Sequence, residues 1–262
     1  MYCNTVFGDY PTYLPDGKED HLKSRFTGWM LLNYNKPVTV SSTYRSYNAN
    51  NAVDESIKTY WCAATADANE WIQSDLGAVS TVNAIQINYA DQDAEFLGKS
   101  LGVYHQYKIL ESTDGKKWNI LVDKSANKTD VPHDYIELSK PVQTRYLRLV
   151  NIHMPTGKFA ISGFRIFGKG TGQKPGEVKD FIVLRTEKDK RSAWLKWSPV
   201  DNAYAYNIYM GTEPDKLYNC IMVYDANEYW LKTMDKEKPY YFTIEAVNEN
   251  GISQSSPIIK SE

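Results

Sequence analysis

The stretch Asn51-Ala52-Val53-Asp54-Glu55-Ser56-Ile57-Lys58-Thr59-Tyr60-Trp61 places a short carboxylate, two hydroxyls and a run of carbonyls just before an aromatic. A hard cation such as calcium takes about six to eight oxygens in flexible geometry, and the same groups can instead close on their own backbone amides. Either chemistry pins the loop. For calcium, the ligands would be the Asp54 and Thr59 side chains with carbonyls around Asn51 and Ser56.

Catalytic machinery is not evident. No G-x-S-x-G, H-E-x-x-H or phosphate-cradling glycine loop occurs, and His21, His105, His133 and His153 are scattered. Carboxylates abound, yet a glycosidase pair must stand roughly 5–10 Å apart in a cleft, a separation set by the fold and not by spacing. No catalytic residue is assigned. Asn127-Lys128-Thr129 fits a glycosylation sequon and reads as an ordinary turn. Thirty basic and 32 acidic residues leave a formal charge of −2, and the longest basic run is Lys188-Asp189-Lys190-Arg191. That argues against nucleic acid or an anionic membrane as main partner, since both demand a concentrated positive face. No apolar run is long enough for membrane insertion. Cys3, Cys62 and Cys220 are odd in number and lack C-x-x-C spacing, so neither a zinc site nor a disulfide framework is expected; buried free thiols are. Met1-Tyr2-Cys3-Asn4-Thr5 has no basic or apolar signal region, so the chain reads as the interior of a longer protein whose signal sequence lies upstream.

The elements that must position these groups are strands. Twenty Tyr, seven Trp and eight Phe beside a modest aliphatic share favour a pleated surface, and an all-β chain is expected. Residues 1–35 are broken by Pro and Gly and too short for a core of their own, so they form a lead segment from an upstream domain. Across residues 36–168 short alternating runs recur between turn signals, as in a sandwich or barrel. The strands are expected at 82–89, 107–111, 118–122, 146–150 and 164–168, with Asp114-Gly115 turning the second into the third. The loop at 91–106, holding Phe96, Leu97 and Tyr104, is long for a hairpin connection, which fits docking on the rest of the parent chain. Residues 169–176, with Gly170, Gly172, Pro175 and Gly176, form a linker. Residues 177–262 alternate again, and Tyr240, Phe242, Ile244 and Ala246 share one sheet face while Thr243 and Glu245 take the other.

The order of motifs carries a resemblance. A-x-D-x-x-x-x-T-x-W from Ala52, W-I-Q-x-D-L-G from Trp71, S-x-D-G-x-x-W from Ser112, R-Y-L-R-L from Arg145 and F-R-I-F-G from Phe164 follow the sequence of a discoidin domain. This is the coagulation-factor type C domain, and in bacterial polysaccharide-degrading enzymes the same fold appears as family 32 carbohydrate-binding modules. The resemblance implies a discoidin-like β-sandwich (jelly roll), with Trp61 and Trp71 in its core rather than under a sugar. It also implies calcium at the Asp54 loop, though Glu55 stands where Gly usually follows the Asp and Gly163 where a Glu usually stands. Ligand then belongs on the loops at one end, where a ring meets sugar C–H groups and side chains pair with hydroxyls. The residues so placed are Tyr44, Arg45 and Tyr47 in the first loop, Asp91, Gln92 and Asp93 in the third, and His153 in the last.

L-x-W-x-P from Leu195, Y-x-I-Y from Tyr206 and Y-x-F-x-I-x-A-V-N-x-x-G from Tyr240 resemble a fibronectin type III domain. That implies a second β-sandwich with Trp197 in its core and Tyr240 as the corner tyrosine, six positions after Met234. FGDYP from Phe7 and FTGWMLLNYNKPV from Phe26 are similar to the junction downstream of the propeller in family 43 glycoside hydrolases of gut bacteria. By that resemblance the parent cuts β-xylosidic or α-arabinofuranosidic bonds, using acids on an upstream propeller. The expected role is a non-catalytic carboxyl-terminal accessory region of a secreted, periplasmic or cell-surface glycoside hydrolase. It would bind plant cell-wall polysaccharide or brace the upstream catalytic domain. The alternative is a protein- or surface-adhesion module, since fold does not fix function. Membrane-binding discoidin domains, however, present apolar spikes flanked by Lys or Arg, whereas these loops carry Tyr, Asn, Asp and Gln. An enzyme in its own right would need convergent carboxylates in a cleft.

Overall fold

A computed structural model describes residues 28–95 and 102–261. The readings that rest on Phe7, Pro11, Cys3, His21, Phe26, Phe96 and Leu97 lie outside them. The chain is all-β, with one 3-10 turn at Ala49–Ala52 as the helical exception among the described residues. Its strands are Met30–Leu31 (β1), Val38–Val40 (β2), Trp61–Cys62 (β3), Trp71–Tyr89 (β4), Gln106–Ser112 (β5), Asn119–Asp123 (β6), His133–His153 (β7) and Ala160–Lys169 (β8). There follow Ile182–Arg185 (β9), Ala193–Lys196 (β10), Ala205–Gly211 (β11), Asn219–Tyr224 (β12), Glu228–Leu231 (β13), Tyr240–Asn248 (β14), Gly251–Ile252 (β15) and Ile259–Ser261 (β16). Two compact units divide the chain, one of Leu31–Thr171 and the other of Gly172–Glu262 with the described residues up to Met30.

In the first unit the sheet runs β1-β8-β4-β7-β5-β6, with β2 on β4 and β3 on β8. The organising feature is the length of β4 and β7. Neither stays straight: their pairing shifts register between Asp75 and Ser80 and again between Val82 and Ala84. An extra residue on one strand bends it and raises its twist, so the paired strands curl over one core. The bulge also changes which parity points inward. Ile72, Ser74 and Leu76 are buried before it, and Ile85, Ile87 and Tyr89 after it. Leu147, Leu149, Phe159, Ile161, Phe164 and Ile166 meet them from β7, β8 and the loop before β8.

This parity explains a departure from expectation. Trp61 is fully buried, edge-on to Phe159 at 5.4 Å. Trp71, one residue out of phase with buried Ile72, faces outward instead. It lies under the Arg148 guanidinium at 4.3 Å, and the same guanidinium covers Trp118 at 4.2 Å. A cation between two indole faces shields both rings from water without core burial.

At Gly168 in β8, a Cβ would fall 1.9 Å from the Thr81 carbonyl oxygen. That oxygen is backbone of a paired strand, so it cannot swing aside. Gly168→Ala is expected to destabilise the unit by about 3 kcal/mol, the upper end of overpacking, read as a lower melting temperature by circular dichroism.

In the second unit β13-β10-β9 form one sheet and β12-β11-β14-β15 another, with β16 on β14. Leu195, Trp197, Ile208, Phe242, Ile244 and Ala246 share its buried cluster. The opposite parity of β14 is closed too: Thr243 Oγ1 donates to the Ser256 carbonyl at 2.7 Å. The Tyr240 hydroxyl accepts from the Asp235 amide at 2.9 Å.

Candidate functional site

Three loops of the first unit converge through backbone bonds. The Tyr44 amide donates to the Cys62 carbonyl at 2.8 Å, and the Lys158 amide donates to the Gln92 carbonyl at 2.9 Å. Lys158 Nζ donates to the Ala64 carbonyl at 2.9 Å. Behind them, Glu70 takes hydroxyls from Ser41, Ser42 and Thr65, which hold its carboxyl below its usual value despite the opposing cost of burial, the largest single contribution. Ser42 also accepts from the Ala64 amide through its Oγ and from Trp61 Nε1 through its carbonyl, so the loops are anchored to the core indole. Cys62 beneath them is a buried free thiol, pushed up to about 11 chiefly by desolvation.

On this base three tyrosines stand in a row. Tyr44 and Tyr47 are parallel within 2°, with ring centroids 6.2 Å apart, and Tyr47 stacks on Tyr60 at 4.6 Å. The Tyr60 hydroxyl donates to Gln92 Oε1 at 2.7 Å, and Gln92 Nε2 donates to Asp93 Oδ1 at 2.7 Å. Burial, then the neighbouring Tyr47 phenol, pushes Tyr60 up to about 12, so it is a neutral donor at pH 7. The Arg45 guanidinium lies 4.8 Å from the Tyr44 ring centre and the Lys158 ammonium 4.5 Å from it. Arg45 and Asp93 both hold left-handed backbone, at φ 51° and 53°, an uncommon state for residues with a side chain. A row of rings edged by donors, acceptors and charges can meet a ligand's C–H face and its hydroxyls together.

Residues 37–163 match the F5/8 type C domain.

No curated protein matches the chain. Solved structures similar to it include chitosan-binding module 1 of a chitosanase/glucanase from Paenibacillus sp. IK-5, at 24% identity and TM-score 0.44, covering 53% of this chain and 98% of that one. Another is the family 32 CBM of Clostridium perfringens NanJ in complex with galactose, at 15% identity and TM-score 0.43, covering 53% and 98%. A third is CBM32-1 from a family 31 glycoside hydrolase of Clostridium perfringens, at 16% and 0.42, covering 52% and 96%.

Within the F5/8 type C domain, Tyr44, Arg45, Tyr47, Gln92 and Asp93 come together. Tyr60 and Lys158 join them without having been expected from the sequence. Tyr60 was hidden by its place in the Asp54 motif; Lys158 sits two residues from Thr156 in a loop with no marked pattern. Asp91 and His153 belong instead to a neighbouring cluster. His153 packs beside Tyr104 at 5.0 Å, and both Asp91 and His153 act electrostatically on His105. His105 is buried against Tyr89 at 3.8 Å, and desolvation lowers it to about 4, so it is neutral at pH 7.

The Asp54 loop is also assembled, as a hydrogen-bonded turn. Asp54 Oδ1 accepts from the Ser56 amide at 2.8 Å and Oδ2 from the Thr59 hydroxyl at 2.7 Å. Asn51 Nδ2 donates to the Tyr60 carbonyl at 3.1 Å. Glu55, at φ 58°, turns its carboxylate to Arg165 Nε at 2.6 Å. Calcium draws on carboxylate and carbonyl oxygens and on water. Here each Asp54 oxygen already takes a donor and Glu55 is neutralised by a guanidinium, and no cluster of three metal-ligating acids, His or Cys occurs among the described residues. The side chains that the calcium reading would use are thus engaged within the loop, and the Ser56 carbonyl also accepts from the Thr59 hydroxyl at 3.3 Å.

Proposed function

We propose that the F5/8 type C domain is a non-catalytic carbohydrate-binding module. The observation that carries this reading is the tyrosine row at the loop end, with Gln92, Asp93, Arg45 and Lys158 at its edge. Stacking rings plus convergent polar side chains are the chemistry of sugar recognition. The ligand in this reading is a plant cell-wall oligo- or polysaccharide of the xylan or arabinan type. The parent is an exported glycoside hydrolase of xylosidase or arabinofuranosidase type, with its catalytic domain upstream. Residues 177–262 serve as a fibronectin type III-like spacer or brace; Trp197 in its core and the Tyr240 hydroxyl on the Asp235 amide support that assignment.

The test is calorimetric titration and a glycan array on the whole chain with xylan and arabinan oligosaccharides. Heat with any of them supports the reading. Absence of heat and of array signal for every sugar favours the bracing role. Calcium at the Asp54 loop is tested separately. Because internal hydrogen bonds close the loop, neither calcium nor a chelator is expected to move the melting temperature. A resident ion at about 100 times its Kd would add about 2.7 kcal/mol, and a rise of several degrees would assign calcium to the loop.

A further inference from the structure

Arg45 and Lys158 have no carboxylate partner among the described residues, whereas Arg145 is paired with Asp75 and Arg165 with Glu55. Both unpaired cations converge on one ring, Tyr44. Lys158 spends one of its donors on the Ala64 carbonyl and, with three on the ammonium, keeps others free. Arg45 is exposed, with its planar fork of donors uncommitted. Of the nearby acids, Asp93 is engaged by Gln92, whose Oε1 holds the Tyr60 hydroxyl, and Glu70 is taken up by the hydroxyls of Ser41, Ser42 and Thr65. The Tyr44 end therefore carries two cations that form no ion pair among the described residues.

Resting on the sugar-binding reading, we infer that the preferred ligand is an acidic glycan, with a uronic-acid carboxylate seated between Arg45 and Lys158 while its ring lies along the tyrosine row. An arginine fork matches a carboxylate with two parallel hydrogen bonds, and the lysine adds a point charge. A neutral sugar offers these cations hydroxyl oxygens but no opposite charge.

The experiment uses the whole chain and two probes: a xylo-oligosaccharide bearing a glucuronic acid branch, and the same oligosaccharide with that carboxyl reduced to the alcohol. The acidic probe is expected to bind about tenfold tighter at low salt, the effect of one charge-assisted hydrogen bond. The advantage should shrink at 1 M salt, where the screening length falls to about 3 Å. Arg45→Gln and Lys158→Gln are each expected to bring the affinity ratio of the two probes toward one. Glutamine at 158 retains a donor for the Ala64 carbonyl, and unchanged melting temperatures verify folding of both variants. Equal affinity of the wild type for the two probes overturns the acidic preference and leaves sugar binding standing. A preference that survives both substitutions overturns the assignment to these residues. Failure of both probes to bind overturns the sugar-binding reading itself.

Discussion

Tyr47→Ala is expected to weaken sugar binding by about 30-fold or more, the roughly 2 kcal/mol typical of a ring at the centre of a binding surface. Tyr47 is the middle member of its row, parallel to Tyr44 and stacked on Tyr60 at 4.6 Å. Removing it takes away one platform and leaves the rings on either side without the neighbour that orients them. Tyr60 would then depend on Gln92 alone for its direction. The loss should appear mostly as faster dissociation, since encounter is set by diffusion and charge, which the substitution leaves unaltered. Calorimetry gives the affinity, and a melting curve within a degree or two of wild type would show that the loop base of Glu70 and Ser42 has held. Wild-type affinity in the variant would remove the tyrosine row from the site.

Arg165→Met is expected to cost about 3–5 kcal/mol, the penalty for stranding a buried charge, or roughly 10 °C in a unit of this size. The side chain of Glu55 is only 3% exposed, and its ion pair with Arg165 spans the sequence between the Asp54 loop and β8. Burial holds the Glu55 carboxyl above its ordinary 4.5, with Arg165 pulling it back. Without Arg165 that lowering influence vanishes, and the folded-state value climbs further above the unfolded one. A carboxyl of this kind binds more protons folded than unfolded, so stability falls as pH rises from the unfolded value through the folded one. The deficit of Arg165→Met should therefore be largest at neutral pH and shrink as pH drops toward 4.5. Arg165→Met with Glu55→Met should recover much of the loss, because two apolar groups replace the pair. An equal deficit at all pH values would mean that lost packing, not a stranded carboxylate, is responsible.

How far the sequence alone reached can be traced residue by residue. The runs at 107–111, 146–150 and 164–168 lie within β5, β7 and β8, because alternation with aromatic and β-branched residues is a local signal that needs no partner to be read. The Asp114-Gly115 turn is where it was expected, with Gly115 at φ 71° and Asp114 capping the Lys116 and Lys117 amides. The run at 82–89 is part of a much longer strand, and its inward parity changes at a bulge that no local pattern announces. Trp71 was misplaced for a related reason: a large aromatic next to an isoleucine reads as core until strand phase decides which of the two faces in.

The loop cluster that forms the candidate site was partly legible. Tyr44, Arg45, Tyr47, Gln92 and Asp93 could be named because ligand chemistry needs rings and polar side chains on loops, and those loops follow from the strand order. Tyr60 and Lys158 could not, since their place in the cluster depends on which loop folds beside which.

What the chain's own residue order determined was the strand character, the turns and the set of loops from which a site would be drawn, because these are fixed by neighbours a few positions away. Only the tertiary structure decided that Glu55 would meet Arg165, 110 positions along, and that Lys158 would reach the ring of Tyr44. A buried charge takes whatever partner packing brings within a few ångströms, and an ammonium settles on whatever ring and carbonyl the closed loops present.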